Sequence, residues 1–123
     1  MSHCVRRAVG GQAVLTLPAE IDITTIDEIR RALLAAVRDS PAVLIIDMGG
    51  TRFCDSSGVQ AIIDCHRRAE ATRTQLRLVA TAVTRILTLT GVDQLIPIYP
   101  TLEAALAGTA GAQSPGELED DPG

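Results

Sequence analysis

Aromatic side chains are nearly absent from this 123-residue sequence: Phe53 and Tyr99 are the only two, and there is no tryptophan. Hydrophobic residues still make up 46% of the chain, so the core must be built from Val, Ile, Leu and Ala. Lysine is missing as well, and all 11 basic residues are arginine. No apolar run approaches the roughly 18 residues of a membrane span, and the N-terminus lacks the charged-then-apolar pattern of a signal peptide. A cytoplasmic protein without membrane association is expected. An excess of basic charge is lacking too. The formal charge is -4, but Glu117, Glu119, Asp120 and Asp121 fall at the extreme C-terminus, and without them acids and arginines balance. That balance excludes a basic nucleic-acid footprint.

Cysteine is sparse. Cys4, Cys54 and Cys65 form no metal-ligand spacing and leave an odd one over. With Cys65 on a helix starting near Asp55, it lies about 15 Å along the axis from Cys54. A disulfide needs Cα atoms within about 7 Å, so these two cannot pair within one molecule. Inert thiols in a reducing compartment are expected. The alternative is a redox-sensing role for Cys54.

What is present is organised around one stretch, Val43-Leu44-Ile45-Ile46-Asp47 through Phe53-Cys54-Asp55-Ser56-Ser57-Gly58. Four branched apolar residues in a row read as a strand buried on both faces. Val59, Ile62, Ile63 and His66 then recur at helical spacing, to about Arg73. Two serines are thereby delivered to the start of a helix at the end of a core strand.

Around this unit, Val5 to Val9 and Ala13 to Leu17 flank a Gly-Gly turn signal and read as a hairpin. Ala19-Glu20-Ile21-Asp22 leads into a helix from Thr24 or Thr25 to Arg38, with threonine as N-cap and Ile26, Ile29, Leu33 and Val37 as its apolar stripe. Gln75 to Ala80 is a third core-type strand. A short helix over Val83 to Thr90 ends at Gly91. Leu95 to Tyr99 is an edge strand broken by Pro97, and Thr101 caps a last helix, Leu102 to Ala107. Alternating strands and helices after a hairpin give an α/β fold: a mixed, mostly parallel sheet of about four to five strands, with about four helices. The right-handed crossover rule puts consecutive helices on a common face unless the strand order reverses. The domain is expected to span residues 1–108, with a disordered acidic tail over 109–123.

Asp and Ser are the best N-cap residues, so Asp-Ser-Ser-Gly could be only a capped helix. Its functional reading is a charge switch. A phosphate at a helix N-terminus meets free N–H groups and the positive dipole end, so the fold can accept it. It still adds about -1.5 to -2 charge units, which would repel a docked partner. Enzymatic readings lack support. His66 is nearly three turns from Ser57, and His3 is close to a terminus. There is no Gly-x-Ser-x-Gly elbow and no phosphate loop, and Asp47 and Asp22 read as solvated loop acids rather than a carboxylate pair. No metal or cofactor is implied.

Three stations together resemble the STAS domain of bacterial anti-sigma factor antagonists (anti-anti-sigma factors): Ala19-Glu20-Ile21-Asp22, the strand through Asp55-Ser56-Ser57-Gly58, and Thr81-Ala82-Val83 through Thr90-Gly91-Val92. The resemblance covers about residues 5 to 107 and implies a non-enzymatic partner switch in transcription regulation, such as a stress response. It makes Ser57 the phosphoacceptor, with Asp55 capping the helix and orienting Ser57, Ser56 fixing the loop, and Gly58 allowing close approach of a kinase. The implied partners are an anti-sigma factor with a histidine-kinase-like ATPase fold, which binds the unphosphorylated form and gives up a sigma factor, and a PP2C-type serine phosphatase. The turn at Ile21 and Asp22, the loop before the helix from Thr51 to Cys54 (Thr51, Arg52 and Cys54 within it), and the exposed helix positions Gln60 and Asp64 are the candidate partner contacts. Ala19 departs from the glycine usual at its station. The alternative is a STAS scaffold or complex subunit with constitutive protein binding, with or without redox modulation at Cys54, and no phosphorylation.

Overall fold

The structure, a computed structural model, describes residues 4–108; the expected acidic tail falls outside the described residues. The strands are β1 (Val5–Val9), β2 (Gln12–Thr16), β3 (Glu20–Ile21), β4 (Val43–Met48), β5 (Phe53–Cys54), β6 (Gln75–Ala80) and β7 (Ile98–Tyr99). The helices are α1 (Ile26–Arg38), α2 (Ser56–Thr72), α3 (Thr84–Leu89), α4 (Val92–Leu95) and α5 (Leu102–Ala107).

Five strands form one sheet in the order β1-β2-β4-β6-β7. The hairpin β1–β2 is antiparallel, turning at Gly10 and Gly11, both at positive φ. All other pairings in the sheet are parallel. Beyond the hairpin the strand order never reverses, so the connections through α1, α2 and α3–α4 cross on one face, as right-handed crossovers require. Leu44, Ile46 and Met48 of β4 point into this main layer, against Ile29 and Leu33 of α1 and Ile62 and Cys65 of α2. Ile45 points the other way and joins Val14, Val79 and Tyr99 under Ala105 of α5. The four-residue apolar run is continuous because both of its faces are covered. Tyr99 is the one aromatic in the core; Phe53 is not part of it.

Three expectations change. The short helix ends before Gly91 as expected, but past that residue, at φ 84°, the chain forms a further helix, α4, which makes five helices. Leu95 ends α4 and is exposed, so the edge strand shrinks to Ile98–Tyr99. A second, two-stranded sheet, β3 with β5, was not anticipated, since two-residue strands carry no periodicity.

Ile46 is fully buried at the centre of the sheet. Ile46→Ala is expected to cost about 2–5 kcal/mol, read in denaturant titration as a lower midpoint at unchanged slope.

Candidate functional site

The exposed corner lies beyond the C-terminal ends of the parallel strands, and backbone hydrogen bonds build it. After β4 the chain turns at Gly49-Gly50, where the Asp47 carboxylate accepts the Gly49 N–H at 2.8 Å. Thr51 is fully buried, and its hydroxyl donates to the Pro18 carbonyl at 2.8 Å. The Ala19 carbonyl accepts from Arg52 N–H at 2.7 Å. β5 then pairs with β3, Phe53 opposite Glu20 and Cys54 opposite Ile21, and Asp55 N–H donates to the Ile21 carbonyl at 3.1 Å. Two loops distant in sequence are thereby fixed side by side. Ala19 is not among the residues with positive φ, so the backbone there accepts a Cβ without strain.

Asp55 is the N-cap of α2 in extended conformation. Its Oδ1 accepts the Ser57 N–H at 3.0 Å and the Gly58 N–H at 3.4 Å, satisfying donors that a helix start leaves unpaired. The Ser57 hydroxyl donates to the same oxygen at 2.5 Å. Ser57 is half-buried and Ser56 exposed. The serine oxygen is thus held in one place, at the positive end of a 17-residue helix.

Gly58 is buried, and a Cβ there would lie 2.5 Å from Ile21 Cγ2 and 2.6 Å from Cys54 Sγ. The missing side chain lets α2 pack closely on the β3–β5 pair.

A model of the STAS domain family matches residues 5–105. The chain belongs to this family. Anti-sigma-F factor antagonist RsfB of Mycobacterium tuberculosis is 27% identical over 104 residues, 84% of this chain and 85% of the relative. The crystal structure of an anti-sigma factor antagonist from Mycobacterium paratuberculosis superposes with a TM-score of 0.80 at 31% identity, covering 85% of this chain and 91% of the other. The phosphorylated form of the Bacillus cell fate determinant SpoIIAA shares the fold, with a TM-score of 0.65 at 21% identity over 86% of this chain and 98% of its own.

Within this STAS domain the candidate contacts separate. Ile21, Thr51 and Cys54 are buried and act as scaffold; their side chains offer nothing to a partner. Arg52 and Gln60 are exposed at the corner. Asp22 is half-buried beside it and accepts from the Thr24 hydroxyl at 2.6 Å and its N–H at 2.9 Å, which holds its carboxyl below the ordinary value. Asp64 sits about 10 Å further along α2 than Ser57, drawn to Gln60 at 3.0 Å, Arg30 at 3.2 Å and Arg67 at 3.6 Å. Thr25 is the N-cap residue of α1, but its hydroxyl makes no cap bond. It accepts from Asp22 N–H and donates to the Glu20 carbonyl, both at 3.0 Å, bracing the corner instead.

Within the loop Thr51 to Cys54, Phe53 is the large apolar side chain that stands out, 51% exposed because it alternates with the inward-facing Cys54. Ile23, 83% exposed on the same β3 and β5 side of the corner, lies outside the expected contacts. Its signal in the sequence is a lone branched residue among turn formers.

Asp47 and Asp22 serve separate turns, and His66 pairs with Glu70 at 3.5 Å. No group of metal ligands is present among the described residues, and no helix of theirs is long and apolar enough to cross a membrane. Burial first, and then the Asp55 charge, push the Cys54 thiol up to about 11, so little reactive thiolate forms near neutral pH.

Gly58→Ala is expected to destabilise the domain by about 1–3 kcal/mol through overpacking, and Asp55→Ala by about 1 kcal/mol through loss of the cap. Denaturant titration checks both. For Asp64, the hydrogen bond from Gln60, followed by the Arg30 and Arg67 interactions, lowers its carboxyl below the ordinary 3.8. A depressed folded value adds stability above the unfolded value that is lost as pH falls through the folded one. Asp64→Asn should therefore be less stable than the parent near neutral pH, and the gap should shrink as titrations are run at pH values falling below 3.8 and through the lowered folded value.

Proposed function

We propose that this chain is an anti-sigma factor antagonist switched by phosphorylation of Ser57. The observation that carries the reading is the Asp55–Ser57 pair. A hydroxyl is held by a capping carboxylate at the open N-terminus of a long helix, on a corner rimmed by exposed Arg52, Phe53, Ile23 and Gln60. The antagonist named RsfB and the phosphorylated SpoIIAA structure support it by similarity.

In this reading the unphosphorylated corner docks on an anti-sigma factor with a histidine-kinase-like ATPase fold and displaces a sigma factor. Ile23 and Phe53 supply apolar anchors, and Arg52 and Gln60 a polar rim. ATP and magnesium belong to the partner; the chain is a substrate and a switch, not a catalyst. The kinase transfers the γ-phosphoryl group to Ser57 Oγ, and the hydroxyl proton leaves. The phosphate brings about -1.5 to -2 charges next to the Asp55 carboxylate, while the helix end offers only about half a positive charge. The corner becomes bulky and anionic, and the partner loses affinity for it. A PP2C-type phosphatase restores the hydroxyl. The cycle is control by differential affinity of two phosphoforms for one partner. It needs no nucleic acid and no membrane and is placed in the cytoplasm. Burial and the raised pKa of Cys54 weaken the redox-modulated form of the alternative; constitutive binding without phosphorylation is separated from the switch by phosphate at Ser57.

With the cognate anti-sigma factor, ATP and magnesium, Ser57→Ala is expected to bind like the parent and take up no phosphate. Ser57→Glu should bind at least about tenfold more weakly in titration calorimetry. Phosphorylation of Ser57→Ala, or unchanged affinity of Ser57→Glu, would falsify the switch. Phe53→Ala and Ile23→Ala should each weaken binding about tenfold, near 1.4 kcal/mol, without lowering stability, because both side chains are largely in solvent.

A further inference from the structure

Helices α1 and α2 leave a groove of about 440 Å3 between them, running along α2 from Ala61 to Arg68. Its floor is apolar, with Leu33, Leu34 and Val37 of α1 facing Cys65 of α2, and its rim carries Arg30, Arg67 and Arg68. Only one carboxylate, Asp64, serves these three guanidinium groups. It pairs with Arg30 and Arg67, which leaves Arg68 without an ion pair among the described residues. A positive rim over an apolar floor fits a short acidic peptide bearing one apolar side chain.

The chain contains one such segment, Glu117-Leu118-Glu119-Asp120-Asp121. Geometry favours this occupant over an outside peptide. Val43 pairs with Gln75 at the N-terminal end of the parallel strands. Both helices run out at that end, α1 at Arg38 and α2 at Thr72. The groove's mouth between Val37 and Arg68 therefore opens there. Gly108 lies at the same end: it packs 3.2 Å from Arg77 Nη2, measured from where its Cβ would be, and Arg77 also reaches Gln75 and Gln12. Nine residues from Gly108 to Glu117 can span about 30 Å. That suffices to round the sheet end and cross two packed layers of about 10 Å each.

We propose that the acidic segment Glu117–Asp121 docks within its own molecule in the arginine-rimmed groove between α1 and α2, with Leu118 on the apolar floor. The groove adjoins the Ser57 corner through the Gln60–Asp64 hydrogen bond, but the contact is read in the free chain, so its failure and that of the phosphorylation cycle are distinguishable.

The absence of lysine makes a direct test possible. In the full-length chain, Arg68→Lys introduces the only side-chain amine, and a water-soluble carbodiimide joins it to any carboxylate in contact. Peptide mapping is expected to find amides to Glu117, Glu119, Asp120 or Asp121 within the monomer. Asp64, one turn away on the same helix, provides an internal reference. The yield of tail amides should be about fivefold above that of Arg52→Lys, an exposed position at the other end of the sheet. It should fall in about 1 M salt, where charges are screened beyond about 3 Å. Equal yields from the two variants, coupling to Asp64 alone, or tail amides found only in covalent dimers would each overturn the proposal. The last outcome would assign the groove to a second copy.

Discussion

Asp55 Oδ1 accepts three hydrogen bonds, from the Ser57 and Gly58 N–H groups and from the Ser57 hydroxyl. Charge-assisted bonds of this kind are stronger than neutral ones, and the positive end of α2 favours the carboxylate further. One interaction therefore starts the helix and fixes the serine oxygen. Asp55 is itself positioned from behind, because its N–H is bound to the Ile21 carbonyl across the β3–β5 pair. The path from core to corner is short: β4 is locked between β2 and β6, Thr51 ties the next turn to Pro18, and β5 is laid against β3.

This arrangement divides the work between neighbours in sequence. Cys54 and Gly58 face inward, and Phe53, Ser56 and Gln60 face outward. The close fit of Gly58 on Ile21 and Cys54 leaves no room for a side chain, so α2 starts at one fixed distance from the small sheet. A corner made rigid in this way loses little conformational entropy when a partner docks. A charge added to it also meets a surface that cannot easily relax. Both properties agree with the proposed switch.

Much of this was legible in the sequence where periodicity or capping chemistry is strong. The run Val43 to Ile46 gave a strand buried on both faces because it is one, with Ile45 turned opposite to Leu44 and Ile46. Asp55 before two serines read as a cap, and the cap is there. The stripe Ile26, Ile29, Leu33 and Val37 is the buried face of α1. Pairing between distant short segments was not legible. β3 and β5 are two residues each, and nothing local says that Ile21 lies against Cys54. Without that pairing, Ile21, Thr51 and Cys54 look available although their side chains are buried, and the exposed Ile23 beside them is passed over. Helix phase alone placed Asp64 near Ser57, whereas arginines on α1 and α2 draw it into the groove.

The central claim is that Ser57 carries the switch. Its most direct test is intact-mass spectrometry of the protein taken from its own cells, with peptide mapping across Asp55 to Gly58. The account predicts a fraction heavier by one phosphate, located on Ser57 and removed by phosphatase. A phosphate found only on another residue, or none in any growth condition, would contradict it.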